Sequence, residues 1–180
     1  MTVAVLDMKN MDRRHPGLTP AIAQHFFEAA SVCLQRHHEA PAVFQLENGS
    51  AESQASVSWL PASPSLSAAY ANTIDTTEAG AYGICLAAVE LLQGLVAVHR
   101  AETLTGADYY IAPRGTAVSD LENAYRFEIS GVDQGRRSQC DQRLRSKVDQ
   151  TKRGTSFMRA IAGVAGFEQK VILLSETIGS

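Results

Sequence analysis

Two short runs of strand-forming residues, 108–112 and 124–130, constrain the fold of this chain most. A polar loop that contains a glycine joins the two runs. Glu128 lies inside the second run between two large apolar residues, where burying an unpaired carboxylate is costly. Asp108 stands at the start of the first run. Because two carboxylates on neighbouring strands are a common way to hold a divalent cation, this pair is our candidate metal site.

Hydrophobic periodicity predicts an α/β (α+β) fold in which helices flank a mixed central β-sheet. Three strands joined by short connections should form an antiparallel meander, and a crossover helix should then lead to a parallel strand. Helices are predicted for residues 19–37, 75–93 and 135–153, and strands for 43–47, 56–60, 95–100, 108–112, 124–130, 158–167 and 170–178.

Length and composition predict one domain over residues 1–180, in which 1–72 form a helix and hairpin extension and 73–180 the core. No apolar run is long enough to span a bilayer, and the first residues lack the order of a signal peptide. The three cysteines lack CxxC spacing, which favours buried free thiols in a reducing compartment. We therefore expect a cytoplasmic protein without a membrane partner, and the oligomeric state stays open.

Local signals along two of the helices have specific interpretations. Asp75 followed by Glu78 fits a capping box at a helix start. Gly80 and Gly83 are costly in a helix and indicate the close approach of another backbone. Cys33 is one turn before His37, but structural zinc needs two further ligands, so we interpret Cys33 as a core residue.

The net charge of -3 conceals a basic segment near the C-terminus. Residues 125–160 carry nine lysines and arginines against four acids, a local excess of +5 that can attract a polyanion. A solvated helix face that happens to be basic is the equal alternative. The nine are Arg126, Arg136, Arg137, Arg143, Arg145, Lys147, Lys152, Arg153 and Arg159.

The last hundred residues resemble the PD-(D/E)xK family of restriction-endonuclease-like nucleases. The resemblance is carried by the helix that contains Glu78, by GAD at 106–108, by FEIS at 127–130, and by the basic helix with RLRSKVDQ at 143–150. It implies an αβββαβ core, Mg²⁺ (or Mn²⁺) as cofactor, and hydrolysis of phosphodiester bonds in nucleic acid.

Carried over by position, the resemblance implies that Asp108 and Glu128 bind the metal and that Glu78 assists them. The family's strand lysine, two residues after the glutamate, is replaced by Ser130. Lys147 on the basic helix is the candidate replacement, so the expected catalytic set is Asp108, Glu128 and Lys147. The expected nucleic-acid-binding residues are Arg136, Arg137, Arg143, Arg145, Gln150, Lys152 and Arg153.

Each acid also has a purely structural interpretation. Glu78 would be a capping residue, Asp108 would mark a turn, and Glu128 would pair with Arg126 on the solvent face of an edge strand. The alternative function is then a catalytically inactive module that binds nucleic acid or a protein partner. A salt bridge from an arginine to either Asp108 or Glu128 favours the inactive module, whereas a void shared by both acids and Lys147 favours the enzyme.

Overall fold

The computed structural model describes residues 3–103, 105–153 and 157–177, which fold into one eight-stranded mixed sheet flanked by helices. The predicted mixed fold class is confirmed. The helices are α1 (Pro20–His37), α2 (Pro64–Ala69), α3 (Thr73–Gln93) and α4 (Arg137–Lys152), with a 3₁₀ turn at Met11–Arg13. The strands are β1 (Ala4–Leu6), β2 (Ala42–Asn48), β3 (Ala51–Val57), β4 (Leu95–Arg100), β5 (Tyr109–Pro113), β6 (Tyr125–Val132), β7 (Ala160–Gly166) and β8 (Val171–Thr177).

The strand order across the sheet is β1-β3-β2-β8-β7-β6-β5-β4. After α3, strands β4, β5 and β6 pair antiparallel in sequence, and α4 then leads to β7, which runs parallel to β6. The meander and the parallel crossover that the sequence predicts are therefore present. At the far side, β2 runs parallel to β8, so the N-terminal hairpin extends the same sheet.

The hairpin itself differs from the prediction. The strands were expected at 43–47 and 56–60 with a long loop, but Asn48 pairs with Ala51 across a two-residue turn at Gly49. The first half of β3 is polar and exposed, so it shows no apolar alternation and is held by its ladder to β2. Trp59 lies beyond the strand and is buried in the core.

Helices α1 and α3 pack together on one face of the sheet and share the main core with Phe127 and Ile129 of β6. A Cβ atom added to Gly80 would lie 3.1 Å from the backbone of Ala30, which confirms the predicted close approach. Helix α4 covers the other face through a smaller cluster around Cys140, Val164, Val171 and Leu173. Within the described residues, no helix is both long enough and apolar enough to cross a membrane.

Residues 12–17 form a partly exposed segment along the edge of β4. His15 is fully buried: its Nδ1 accepts the Ala97 N–H at 2.9 Å, so its Nε2 carries the proton that it donates to Glu90 at 3.0 Å. Arg14 also bonds both oxygens of Glu90, and the Gly17 N–H bonds the Ala97 carbonyl. His15 and Glu90 are therefore buried as a pair with the partly exposed Arg14 beside them, and the segment covers the exposed edge of β4.

We predict that Glu90 stabilises the fold in a pH-dependent way. Burial raises the pKa of this carboxyl, but hydrogen bonds from His15 and Arg14 outweigh burial and leave the pKa below its ordinary value. The stabilisation is thus complete above the unfolded-state pKa of about 4.3 and is lost as pH falls through the folded-state pKa. Glu90→Gln should lower the free energy of unfolding by about 2 kcal/mol at pH 7 and by less at pH 3.

Urea denaturation at the two pH values measures this difference. Glu122→Gln is the matched control, because Glu122 is exposed and makes no ion pair with any described residue. A loss in Glu90→Gln that is the same at pH 3 and pH 7 would contradict the proposed role of its charge.

Candidate active site

A cavity of about 880 Å³ opens between the N-terminal turns of α3, the end of β6 and one flank of α4. It exists because the pairing of β5 with β6 stops at Tyr109 and Phe127, while β6 continues to Val132. The last residues of β6 therefore lack a β5 neighbour and line the cavity instead. Its charged lining residues are Glu78, Asp108, Asp133, Arg143 and Lys147.

Asp108 is fixed at the point where the two strands separate. Its Oδ2 accepts the Ile129 N–H at 2.7 Å and its Oδ1 accepts the Tyr82 hydroxyl at 3.0 Å. Because β5 begins one residue later, at Tyr109, it leaves the Ile129 N–H of β6 without a backbone partner in the sheet. The Asp108 carboxylate accepts this hydrogen bond instead. The interpretation of Asp108 as only a turn residue is not sufficient, because its side chain holds the strand and borders the cavity.

Glu128 lies on an interior strand and is 4% exposed, so the edge-strand interpretation is wrong. Lys147 reaches across from α4 and places its Nζ 2.6 Å from Glu128 Oε1. Burial raises the pKa of the Glu128 carboxyl, Lys147 opposes this, and the negative charge of Asp108 adds to the increase. The predicted pair with Arg126 is absent: that guanidinium donates instead to the Thr151 carbonyl at 3.0 Å.

Glu78 is not the capping residue of its helix. The N-cap of α3 is Asn72, whose Oδ1 accepts the N–H groups of Ile74 and Asp75. The sequence prediction placed the helix start three residues too late, because the Asp75–Glu78 pattern suggested a cap that Asn72 supplies. Glu78 is therefore available to the cavity, and it accepts the Tyr82 hydroxyl at 2.7 Å.

Sequence reasoning missed two residues beside the acids, Tyr82 and Arg100. Arg100 donates to the backbone carbonyl of Asp108 at 2.9 Å and to the Tyr82 oxygen at 3.4 Å. Its Nη1 is 3.9 Å from Asp108 Oδ1, at the limit of an ion pair. Tyr82 was hidden within the apolar face of α3, although its position four residues after Glu78 is a signal that could have found it.

The predicted nucleic-acid-binding residues do not form one surface. Arg143 lines the cavity, whereas Arg137 is engaged by Glu47 at 2.7 Å and Asp141 at 2.9 Å. At 100° per residue, the side chains of α4 divide between two flanks on either side of its buried face. Exposed residues outside the cavity lining are Arg136, Arg145, Gln150, Lys152 and Arg153.

The donor set at the cavity is made of carboxylate oxygens, which suit Mg²⁺ or Mn²⁺. Glu128 Oε2 and Glu78 Oε2 make no hydrogen bond with any described residue, and of these two acids Glu78 lines the cavity whereas Glu128 does not. Across residues 3–103, 105–153 and 157–177, no three His, Cys, Asp or Glu side chains form a ready metal cluster. Two carboxylates remain compatible with Mg²⁺, which usually keeps several of its water ligands.

The alternative metal position at Cys33 and His37 is excluded by their partners. Cys33 is buried, and its thiol contacts the Thr76 carbonyl at 3.6 Å. Burial raises the pKa of the Cys33 thiol to about 12, which disfavours the thiolate that binds metals. His37 bonds Asp133 at 3.2 Å. Cys33 is the core residue that the sequence predicts.

We predict that Lys147 offsets the cost of burying Glu128. The folded-state pKa of Glu128 is raised, so keeping this carboxylate ionised lowers the free energy of unfolding at neutral pH. At low pH the carboxyl is neutral and this cost disappears. Lys147→Met should lower the free energy of unfolding by about 3 kcal/mol at pH 8, and by less as pH falls through that pKa. Adding Glu128→Gln should recover most of the loss.

Chemical denaturation of the two single variants and the double variant gives this coupling directly. Lys152→Met on the same helix is the control, because Lys152 is exposed and makes no ion pair with the described residues. Additive losses in the double variant would show that the two side chains do not depend on each other.

Comparison with known proteins gives no further guide to this site: no protein-family model, no curated protein and no solved structure matches this chain.

Proposed function

We propose that this chain is a metal-dependent phosphodiesterase that hydrolyses nucleic acid at the cavity between α3, β6 and α4. The observation that carries the proposal is the position of Lys147, whose Nζ lies 2.6 Å from Glu128 Oε1 beside Asp108. A PD-(D/E)xK-type site needs a cation next to its strand glutamate. Ser130 occupies the usual place of that lysine, and α4 brings Lys147 to the same glutamate.

Each side chain has a distinct role in the proposed reaction. Asp108 and Glu128, assisted by Glu78, would hold Mg²⁺ or Mn²⁺. When bound, such a cation polarises the phosphoryl oxygen and lowers the pKa of an attacking water. Lys147 supplies positive charge beside Glu128, and Arg143, one helical turn earlier, holds the negatively charged phosphate at the cavity.

The two criteria stated for the sequence give opposite results, and their strengths differ. The void is lined by Asp108 and Lys147 but not by Glu128, so the void criterion is met in part. Glu128 is connected to the lining through its hydrogen bond from Lys147. The arginine contact to Asp108 is also present, but at 3.9 Å from a half-exposed Arg100 it is a weak pair. The short hydrogen bonds of the Asp108 carboxylate come from Tyr82 and the Ile129 backbone. The balance favours the enzyme.

A catalytically inactive module is the second candidate. It is favoured by the fact that Asp108, Glu128 and Glu78 each already have a partner within the protein. In that case Arg143 and the exposed cations of α4 would bind nucleic acid, or the same face would bind a protein partner. The proposed compartment is the cytoplasm for both candidates, because all three cysteines are buried free thiols.

The test is nuclease activity on single-stranded and duplex DNA and RNA with Mg²⁺, Mn²⁺ or EDTA. Asp108→Asn and Glu128→Ala should each reduce metal-dependent cleavage at least about 100-fold, because both remove a proposed ligand. Asp149→Asn is the matched control, since Asp149 is an exposed acid on α4 outside the cavity lining.

Folding of each variant is checked by its thermal transition. Wild-type protein that is as inactive as the two variants on all four substrates would remove the enzyme proposal. Binding of nucleic acid without cleavage, weakened by Arg143→Ala, would then support the inactive module.

A further inference from the structure

The hydroxyl of Tyr82 lies between two of the acids at the cavity. It is 2.7 Å from Glu78 Oε1 and 3.0 Å from Asp108 Oδ1. A phenol has one O–H hydrogen, so it donates to one of these oxygens at a time and holds both at hydrogen-bond distance. One neutral group thus brings together two carboxylates from different parts of the chain, one on α3 and one on the residue that precedes β5.

Arg100 completes this arrangement from the other side. Its guanidinium lies 4.9 Å from the ring centres of both Tyr82 and Tyr109, in a cation–π arrangement. It donates to the Tyr82 oxygen at 3.4 Å and to the Asp108 carbonyl at 2.9 Å. The arginine therefore fixes the direction of the Tyr82 hydroxyl and places a positive charge beside the two acids.

The ring of Tyr82 and its hydroxyl make different contacts. The ring itself is packed against Phe26, at 5.4 Å between ring centres, and against Tyr109 at 5.9 Å. The ring packing and the hydroxyl are separate features, so replacing tyrosine by phenylalanine removes only the second.

We propose that Tyr82 is a positioning residue that, together with Arg100, sets the separation and direction of the Glu78 and Asp108 carboxylates for a divalent cation. The inference rests on the proposed function, because it assigns a role toward the metal of that same site. Tyr82 acts through the two acids, in the way that groups bonded to metal ligands orient them.

The experiment measures Mn²⁺ binding to the whole protein without substrate, from the loss of the free Mn²⁺ signal in electron paramagnetic resonance. Tyr82→Phe should weaken binding about 10- to 100-fold, the usual effect of removing a group that orients metal ligands. Tyr110→Phe is the matched control and should leave binding unchanged. Tyr110 is a buried tyrosine next to Tyr109 whose hydroxyl is 3.5 Å from Glu102.

A double-mutant cycle separates positioning from a general effect on the fold. If Tyr82 acts by holding Glu78, Tyr82→Phe should weaken Mn²⁺ binding less in a Glu78→Gln background than in the wild type. Arg100→Gln provides a second variant at a half-exposed side chain, and it should also weaken binding, because it releases the Tyr82 oxygen.

The outcomes distinguish the inference from the proposed function. Wild-type protein that binds Mn²⁺, with Tyr82→Phe and Arg100→Gln binding it equally well, overturns the positioning role and leaves the metal site intact. Equal weakening by Tyr110→Phe also overturns the positioning role. Wild-type protein that binds no Mn²⁺ overturns the proposed metal site, and the positioning role with it.

Discussion

The ion pair between Lys147 and Glu128 is the interaction on which the geometry of the cavity depends. A carboxylate that is 4% exposed on an interior strand requires a partner, and among the described helices α4 is the one that packs on that face of β6. Docking α4 with Lys147 over Glu128 also determines which other side chains of the helix face the cavity. Arg143, one turn earlier, lines it, whereas Arg145 lies on the far flank. This one interaction therefore stabilises the buried Glu128 carboxylate and also determines that Arg143, and not Arg145, lines the cavity.

The cavity and the second acid have a common origin in the backbone. Where β5 begins at Tyr109, the chain before it leaves the sheet, and β6 continues toward Val132 paired with β7 but not with β5. This step creates the empty space beside β6 and leaves the Ile129 N–H without a ladder acceptor. The Asp108 carboxylate fills that position at 2.7 Å. The acid is thus held by the same interruption of strand pairing that forms the cavity, so its position depends on the sheet.

Sequence patterns predicted what depends on local order and missed what depends on distant partners. The meander and crossover follow from the order of the elements, and Lys147 could be placed near Glu128 from the apolar repeat of α4. The contacts of Tyr82 with Asp108 and of His15 with Glu90 join residues 26 and 75 positions apart, and no local pattern specifies such pairs. Most of the fold was therefore predictable, whereas the network that orients the acids was not.

Arg126 shows how the sheet keeps Glu128 available to Lys147. Arg126 lies two residues before Glu128 on the same face of β6, and from the sequence it was the obvious partner. It donates instead to the Thr151 carbonyl, at the C-terminal end of α4, where the helix dipole favours a cation. Helix α4 is thus attached to β6 at two points one turn apart, by an ion pair at Lys147 and by a capped carbonyl at Thr151. Because both attachments fix the same register, α4 cannot slide along the strand without breaking both, and this holds Lys147 at the rim of the cavity.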